Sequence, residues 1–405
     1  MNWMRKGSPL WIAVVFFFVG FCPGMWMPGL PSVLREMGQE GWIPWIYIGL
    51  PIGSIVSPMI LGVLSDGKIA ANKLCGIMMF AGGCTMTIAF GALHLGARIE
   101  QYVFLMFVNA LISAPLWALS TQSALSYLKG QEERFAYYRV LGTIGWLAAG
   151  MIGGMYLGAD SSATAGLVGG ILRFPAAALC FLMPYCPPVA KKKGFSVMQM
   201  LGQGSRQLWG DPNLRVLYIA SGLIAIPLAS FFMYVPLMMG GVMEVEQPTT
   251  WMSLSQWFEI PGMLTLAWAC RKFALKKLVA FGLIVTALRQ FLFALAAYQE
   301  SLWPVYLGLL THGLTYSYFL TVAQVHMEQW VSPELRGRAQ GMLSLIFGGI
   351  GNLVGVLIVG RLFTAIVDLE SNQGWVTYWS VLSLMAVVPV VFYLARYGRD
   401  RKNGV

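Results

Sequence analysis

Glu259 is the one carboxylate set well inside a long apolar stretch of this 405-residue chain. An ionisable group in lipid costs at least ~2.5–3.5 kcal/mol, so it needs a partner, a cavity or a short reach to water. Burial favours its neutral form and an approaching cation its charged form. A carboxyl balanced between the two can load a proton on one side of a membrane and release it on the other. The plainer alternative is an ion pair that locks two helices. Gln256, three residues earlier, falls on the same face of a helix and offers an amide to a polar ligand, or packing glue between helices. Arg139, Thr143 and Trp146 recur at i, i+4 and i+7. A guanidinium, a hydroxyl and an indole on one stripe suit a polar ring compound, by hydrogen bonds and by stacking.

A second stripe of the same spacing joins His312, Tyr316 and Phe319. Histidine titrates near neutral pH, so His312 is a candidate proton relay beside its structural reading. Arg289 reads as structurally paired, whereas Arg173 and Arg361 read as reaching the outer interface along their apolar stems. Asp66 reads as a gating latch, and Trp26 and Gln324 are weaker cavity candidates. The six cysteines form no CxxC pair, and no His, Cys and carboxylate cluster has metal-ligand spacing, so no metal and no cofactor other than protons is expected.

The elements that must position these groups are membrane helices. Charged residues make up only 11% of the chain, against about 25% in ordinary soluble domains, which excludes a water-soluble core. Apolar runs of the ~20 residues that a hydrocarbon core requires lie near 10–30, 43–64, 74–94, 103–126, 138–158, 165–186, 215–239, 250–270, 278–297, 302–326, 339–364 and 375–395. Residues 1–26 have a basic start like a signal peptide, but the run continues to about Leu30 and reads as a retained first span. Odd-numbered connections carry two basic residues, Arg35 and Arg98, against nine acidic ones, Asp160 among them. Basic residues crowd the other side, notably Lys191, Lys192 and Lys193, which places both termini in the cytoplasm. The net charge of +10 thus describes topology and contact with anionic lipid heads, and no nucleic-acid surface is expected. Residues 188–214 read as a cytoplasmic linker between an N-terminal six-helix bundle, 1–187, and a C-terminal one, 215–405, with weak signs of duplication.

The segment Gly62-Val63-Leu64-Ser65-Asp66 resembles a degenerate loop 2–3 signature of the major facilitator superfamily. More narrowly, the chain resembles the nucleoside/proton symporter family. The segments that carry this likeness are Arg139–Gly145, Ser255–Glu259, Ala287–Ala294, His312–Tyr316 and Val331–Met342, in order along most of the chain. The resemblance implies cavity roles for Arg139, Thr143, Trp146, Gln256 and Glu259, with Glu259 as the essential carboxylate of the eighth span. It also places Ser317 where the family has an acid just after the tyrosine. The seventh span, where the family supplies amides, reads Pro227-Leu228-Ala229-Ser230-Phe231-Phe232-Met233-Tyr234. Helix five is in addition similar to that of the lactose/proton symporter group, through Arg139 and Trp146.

The expected fold is therefore an all-α membrane protein of twelve helices in two pseudo-symmetric six-helix bundles. The expected function is proton-coupled import of a nucleoside by alternating access, with Glu259 and His312 handling protons. Arg139, Thr143, Trp146, Gln256, Tyr316 and Ser317 are expected to meet substrate. A sugar or glycoside is the alternative cargo. A receptor on the same fold predicts binding without flux, and a drug exporter would lean less on a hydrogen-bonding face. No nucleophile elbow or phosphate loop supports an enzyme. The protein is expected as a monomer in a bacterial inner membrane.

Overall fold

The computed structural model describes residues 6–64, 69–129, 131, 134–187, 203–332, 334–369 and 371–398. Asp66 and residues 188–202 of the expected linker lie outside the described residues. All regular structure among those described is helical. The chain forms two compact units, Met1–Ser196 with Gln247–Ser253, and Val197–Glu246 with Leu254–Val405. The first unit holds α1 (Leu10–Gly24), α2 (Leu30–Glu36), α3 (Ile43–Tyr47), α4 (Gly49–Leu64), α5 (Ala71–His94), α6 (Ile99–Ser113), α7 (Leu116–Tyr127), α8 (Phe135–Leu157) and α9 (Thr164–Cys180). The second opens with α10 (Gln203–Gly210), α11 (Pro212–Leu228) and α12 (Ser230–Gly240). The short α13 (Pro248–Met252) returns to the first unit. The second then continues through α14 (Glu259–Lys272), α15 (Leu275–Gln299), α16 (Leu302–Thr315), α17 (Val322–Trp330), α18 (Arg336–Ser344), α19 (Asn352–Ile366) and α20 (Asn372–Arg396).

Seven helical stretches among the described residues are long and apolar enough to cross a membrane, and two shorter apolar helices, α1 and α9, join them. The expected spans all coincide with helix, but several are broken. Pro23 sits at the end of α1, and the chain turns before α2. The Asp211 carboxylate accepts the N–H groups of Asn213 and Leu214, so α11 starts at Pro212, ahead of the expected 215. Hydropathy is blind to such a cap, which satisfies otherwise orphaned helix donors. At the α11–α12 break, the Pro227 carbonyl accepts from Ser230 Oγ and from Gln290 Nε2. Buried side chains thereby replace the water that a membrane interior denies. Residues Tyr316–Thr321 and Leu345–Gly351 widen into π-helical turns, a feature frequent at functional sites.

In the first unit α1 and α8 cross backbone to backbone. A Cβ at Gly20 would lie 1.9 Å from the Gly142 carbonyl oxygen, and one at Gly145 would lie 2.1 Å from that of Phe17. Small residues permit such approach where lipid supplies no hydrophobic drive. Because the obstacle is backbone, Gly145→Val is expected to cost at least about 3 kcal/mol. The yield of folded, monodisperse protein in detergent checks this; a wild-type yield and melting midpoint would contradict the crossing.

In the second unit, α20 buries Trp375 and Trp379, with the Trp379 ring 5.0 Å from that of Phe293 on α15. Tyr234 of α12 stacks on Phe363 of α19 at 4.3 Å. The Phe293–Trp379 contact packs α20 on α15, which carries Arg289 one turn before Phe293.

Candidate functional site

In the first unit α8 is one uninterrupted helix, so Arg139, Thr143 and Trp146 do share a face. Thr143 is buried and Arg139 and Trp146 are half-buried. The Arg139 guanidinium stands 5.2 Å from the ring centre of Trp117, a cation–π contact. Trp117 in turn lines a cavity of about 210 Å³ together with Trp26, Ser54, Asn109, Ser113 and Arg173.

Arg173 corrects an expectation. It does not reach the interface; it is only 3% exposed and donates from Nη1 to Ser113 Oγ at 2.7 Å. Its path is opened by Gly82 and Gly83 of α5, where a Cβ would stand 2.5 Å from Nη1 and 3.1 Å from the arginine Cβ. Arg361 is exposed, and so is Gln324, whereas Trp26 is buried against the cavity.

The second unit gathers Glu259, Tyr316, His312 and Arg289. Glu259 does not sit two turns into an unbroken helix, as its position in the apolar run implies. The chain leaves α13, makes a 3-10 turn over Ser253–Gln256, and restarts with Glu259 as the first residue of α14. Pro261, which lacks an N–H and so fits readily in a first turn, is compatible with that restart. Glu259 is half-buried at the N-terminus of α14. Gln256 is therefore not on the same helical face. It is buried in the 3-10 turn, and its Nε2 donates to Ser255 Oγ at 3.2 Å.

Gly313 of α16 meets this restart directly, since a Cβ there would stand 2.1 Å from the Glu259 nitrogen. Ser317, in the π-helical turn Tyr316–Thr321, packs against α14 one turn beyond Glu259, with its Oγ 2.7 Å from where a Gly262 Cβ would be. That hydroxyl is buried and makes no hydrogen bond. Tyr316 lies 4.9 Å, ring to ring, from His312 and within electrostatic range of both Arg289 and Glu259.

Arg289 is fully buried. Its Nη1 donates to His312 Nδ1 at 2.8 Å, and its guanidinium lies 4.8 Å from the Phe231 ring centre. Phe231 stacks on His312 at 4.3 Å. Arginine only donates, so Nδ1 holds its lone pair and the ring is neutral while this contact lasts. Neither Arg289 nor Phe231 stands among the residues that spacing alone selects as site-forming; the adjacency of Arg289 and His312 on different helices is invisible along the chain.

Asp160 and Thr249 form a further polar centre in the first unit. Asp160, in the connection after α8, is buried. It accepts from the Thr249 N–H at 3.1 Å and from the Thr249 hydroxyl at 2.7 Å, holding α13 in place. Ser32 and Glu36 face it as well. Burial pushes the Asp160 carboxyl up to about 6, with Glu36 adding to the rise against the Thr249 hydrogen bonds. A raised acid favours the folded contact at low pH: its contribution is full below about 4 and is lost as pH rises through about 6, at most about 3 kcal/mol. Asp160→Asn keeps the acceptor oxygen and removes the charge. The melting midpoint of wild type relative to Asp160→Asn is expected to fall between pH 4 and 7; a constant difference would contradict this.

Comparison with known proteins follows the same residues. The family model for nucleoside H+ symporters matches residues 9–402. YegT of Escherichia coli (strain K12) is 28% identical over 404 residues, covering 94% of this chain and 93% of its own length. The crystal structure of the nucleoside transporter NupG superimposes with a TM-score of 0.80 at 20% identity, covering 96% of this chain and 99% of NupG. The D-xylose–proton symporter gives a TM-score of 0.74 at 13% identity, covering 96% and 97%. At these identities the structural likeness establishes the fold alone, the twelve-helix major facilitator plan.

Proposed function

Because the chain belongs to the nucleoside/proton symporter family, we propose that it imports nucleosides together with protons by alternating access, with Glu259 as the group that carries the proton. The single observation behind this reading is the family match over nearly the whole chain. The geometry around Glu259 supports it: a half-buried carboxyl at a helix N-terminus, within electrostatic range of Tyr316, which Arg289 also faces. Such a group exchanges a proton at modest cost, because the helix dipole stabilises the charged form that burial opposes. His312, held as an acceptor by Arg289, positions Tyr316 and leaves proton exchange to Glu259.

On the substrate side, Arg139, Thr143 and Trp146 on α8 suit the hydroxyls and flat face of a ribose, with Gln256, Tyr316 and Ser317 as further polar contacts. A ribose-directed face also explains why helix five is similar to that of sugar symporters. Asp66 belongs to the proposal as a gating residue. The chain would act as a monomer without a cofactor, in a bacterial inner membrane with both termini in the cytoplasm, and with residues 188–214 as the linker between halves 1–187 and 215–405.

Competition decides the cargo. Uptake of labelled uridine by proteoliposomes under an acid-outside gradient is expected to be blocked by excess unlabelled nucleosides and untouched by sugars. Competition by glycosides with none by nucleosides would replace the nucleoside reading with the sugar one.

A further inference from the structure

The segment α13 is held by its surroundings and not by itself. It is a single turn of five residues, too short to be stable as an isolated helix. It lies in the first unit, although the elements before and after it belong to the second. Both of its joints depart from regular helix. On one side Glu244 takes a left-handed backbone, with φ 52°, which residues other than glycine seldom adopt. On the other side the chain passes into the 3-10 turn Ser253–Gln256. Hinges are built from a few such positions at the ends of elements.

The seat is a glycine flank of α8. A Cβ at Gly154 would stand 2.1 Å from Thr250 Oγ1, and one at Gly150 would stand 2.8 Å from the Ser253 Cβ. The polar hold is Asp160, which accepts both the N–H and the hydroxyl of Thr249. Ser32 and Glu36 of α2 face the same carboxyl, and the one charge among the described residues that acts on it is the like charge of Glu36. A carboxylate in this seat therefore has hydrogen bonds but no counter-charge, and burial pushes it up to about 6. Asp160 keeps 8% of its surface exposed, so water and protons reach it.

We propose that α13 is an acid-held strap, docked on α8 while Asp160 carries a proton and released when that proton leaves. An exposed aspartate titrates near 4 and the docked one near 6, so docking is strongest below about 4 and weakens about a hundredfold as pH rises past about 6. This proton is distinct from the one assigned to Glu259, and the strap does not depend on what the protein carries. Because α13 leads through the 3-10 turn into α14, its release frees the segment that ends at Glu259. The proposed topology puts Asp160 on the outer side, where the strap answers to the acidity of the outer solution.

A thiol in the seat reads the release. Ser253 is buried, and Ser253→Cys changes its size little. Labelling of that cysteine by a membrane-impermeant maleimide is followed in the full-length protein in detergent, from about pH 5 to about pH 7.5, with and without Asp160→Asn. The asparagine variant has nothing to titrate at 160, so the ratio of the two rates cancels the ionisation of the thiol itself. The rate with Asp160 relative to that with Asp160→Asn is expected to rise about tenfold over this range, the part of the hundredfold that falls within it. Glu36→Gln removes the like charge and is expected to move the rise to lower pH. The buried native thiols of Cys22 and Cys75 are expected to stay protected throughout, which separates release of the strap from unfolding. Should Ser253→Cys misfold, hydrogen exchange of the Thr250 to Met252 amides, wild type against Asp160→Asn, reads the same ratio. A ratio that does not change with pH, or labelling of Cys22 and Cys75 in step with Ser253→Cys, overturns the strap and leaves the transport reading standing.

Discussion

Glu259→Gln is expected to abolish uphill nucleoside accumulation while sparing exchange of nucleoside across the membrane. Glutamine keeps the size of the side chain and its hydrogen-bonding capacity, so the restart of α14 against Gly313 should hold. What is lost is the exchangeable proton. One pH unit across a membrane stores about 1.4 kcal/mol per proton, which sustains roughly a tenfold substrate gradient at a stoichiometry of one. The variant should therefore reach only an inside-to-outside ratio near one, at any imposed pH difference, with counterflow of preloaded label intact. Full accumulation by Glu259→Gln would show that the coupling proton travels elsewhere.

Arg289→Met should separate function from stability. Arg289 is buried with Nε and Nη2 lacking hydrogen-bond partners. A buried cation so incompletely paired is costly, and apolar replacement of such groups is often neutral or stabilising. Methionine fills a similar volume and adapts its shape against Phe231. The melting midpoint is expected to stay or rise. Transport should behave oppositely. The guanidinium supplies positive potential to Tyr316, which also feels the charge of Glu259. Without it, the charge shared around Tyr316 by Arg289 and Glu259 is unbalanced, and the rate of proton-driven uptake should fall by about tenfold or more. A midpoint that drops, with transport reduced only in proportion to folded protein, would reduce Arg289 to a structural pin.

What the chain discloses by itself follows from how membranes constrain it. Every expected span coincides with helix, because lipid forces the backbone to satisfy itself locally and hydropathy records that. The α8 stripe was legible for the same reason: an unbroken helix turns spacing into adjacency. Glu259 shows the limit. Its isolation among apolar residues was readable, but its place at a helix start was not, although Pro261 fits one. Arg173 shows another limit, since hydropathy and stem length place it at an interface. Only the paired glycines of α5, packed beside α9, open the inward route. The Arg289–His312 and Asp160–Thr249 contacts join distant parts of the chain, and nothing along a single sequence announces such pairs. Asp160 in particular reads as an ordinary loop acid until Thr249 is seen against it.

The most direct test of the central claim is to watch both cargos at once. Proteoliposomes with a pH-sensitive dye inside and no imposed gradient receive external uridine. If uridine enters with protons, the lumen acidifies on uridine addition, in step with label uptake, and Glu259→Gln, in vesicles preloaded with unlabelled uridine, takes up label by exchange without any pH signal. Uridine uptake with no acidification in the wild-type protein would contradict proton coupling and leave a facilitated carrier in its place.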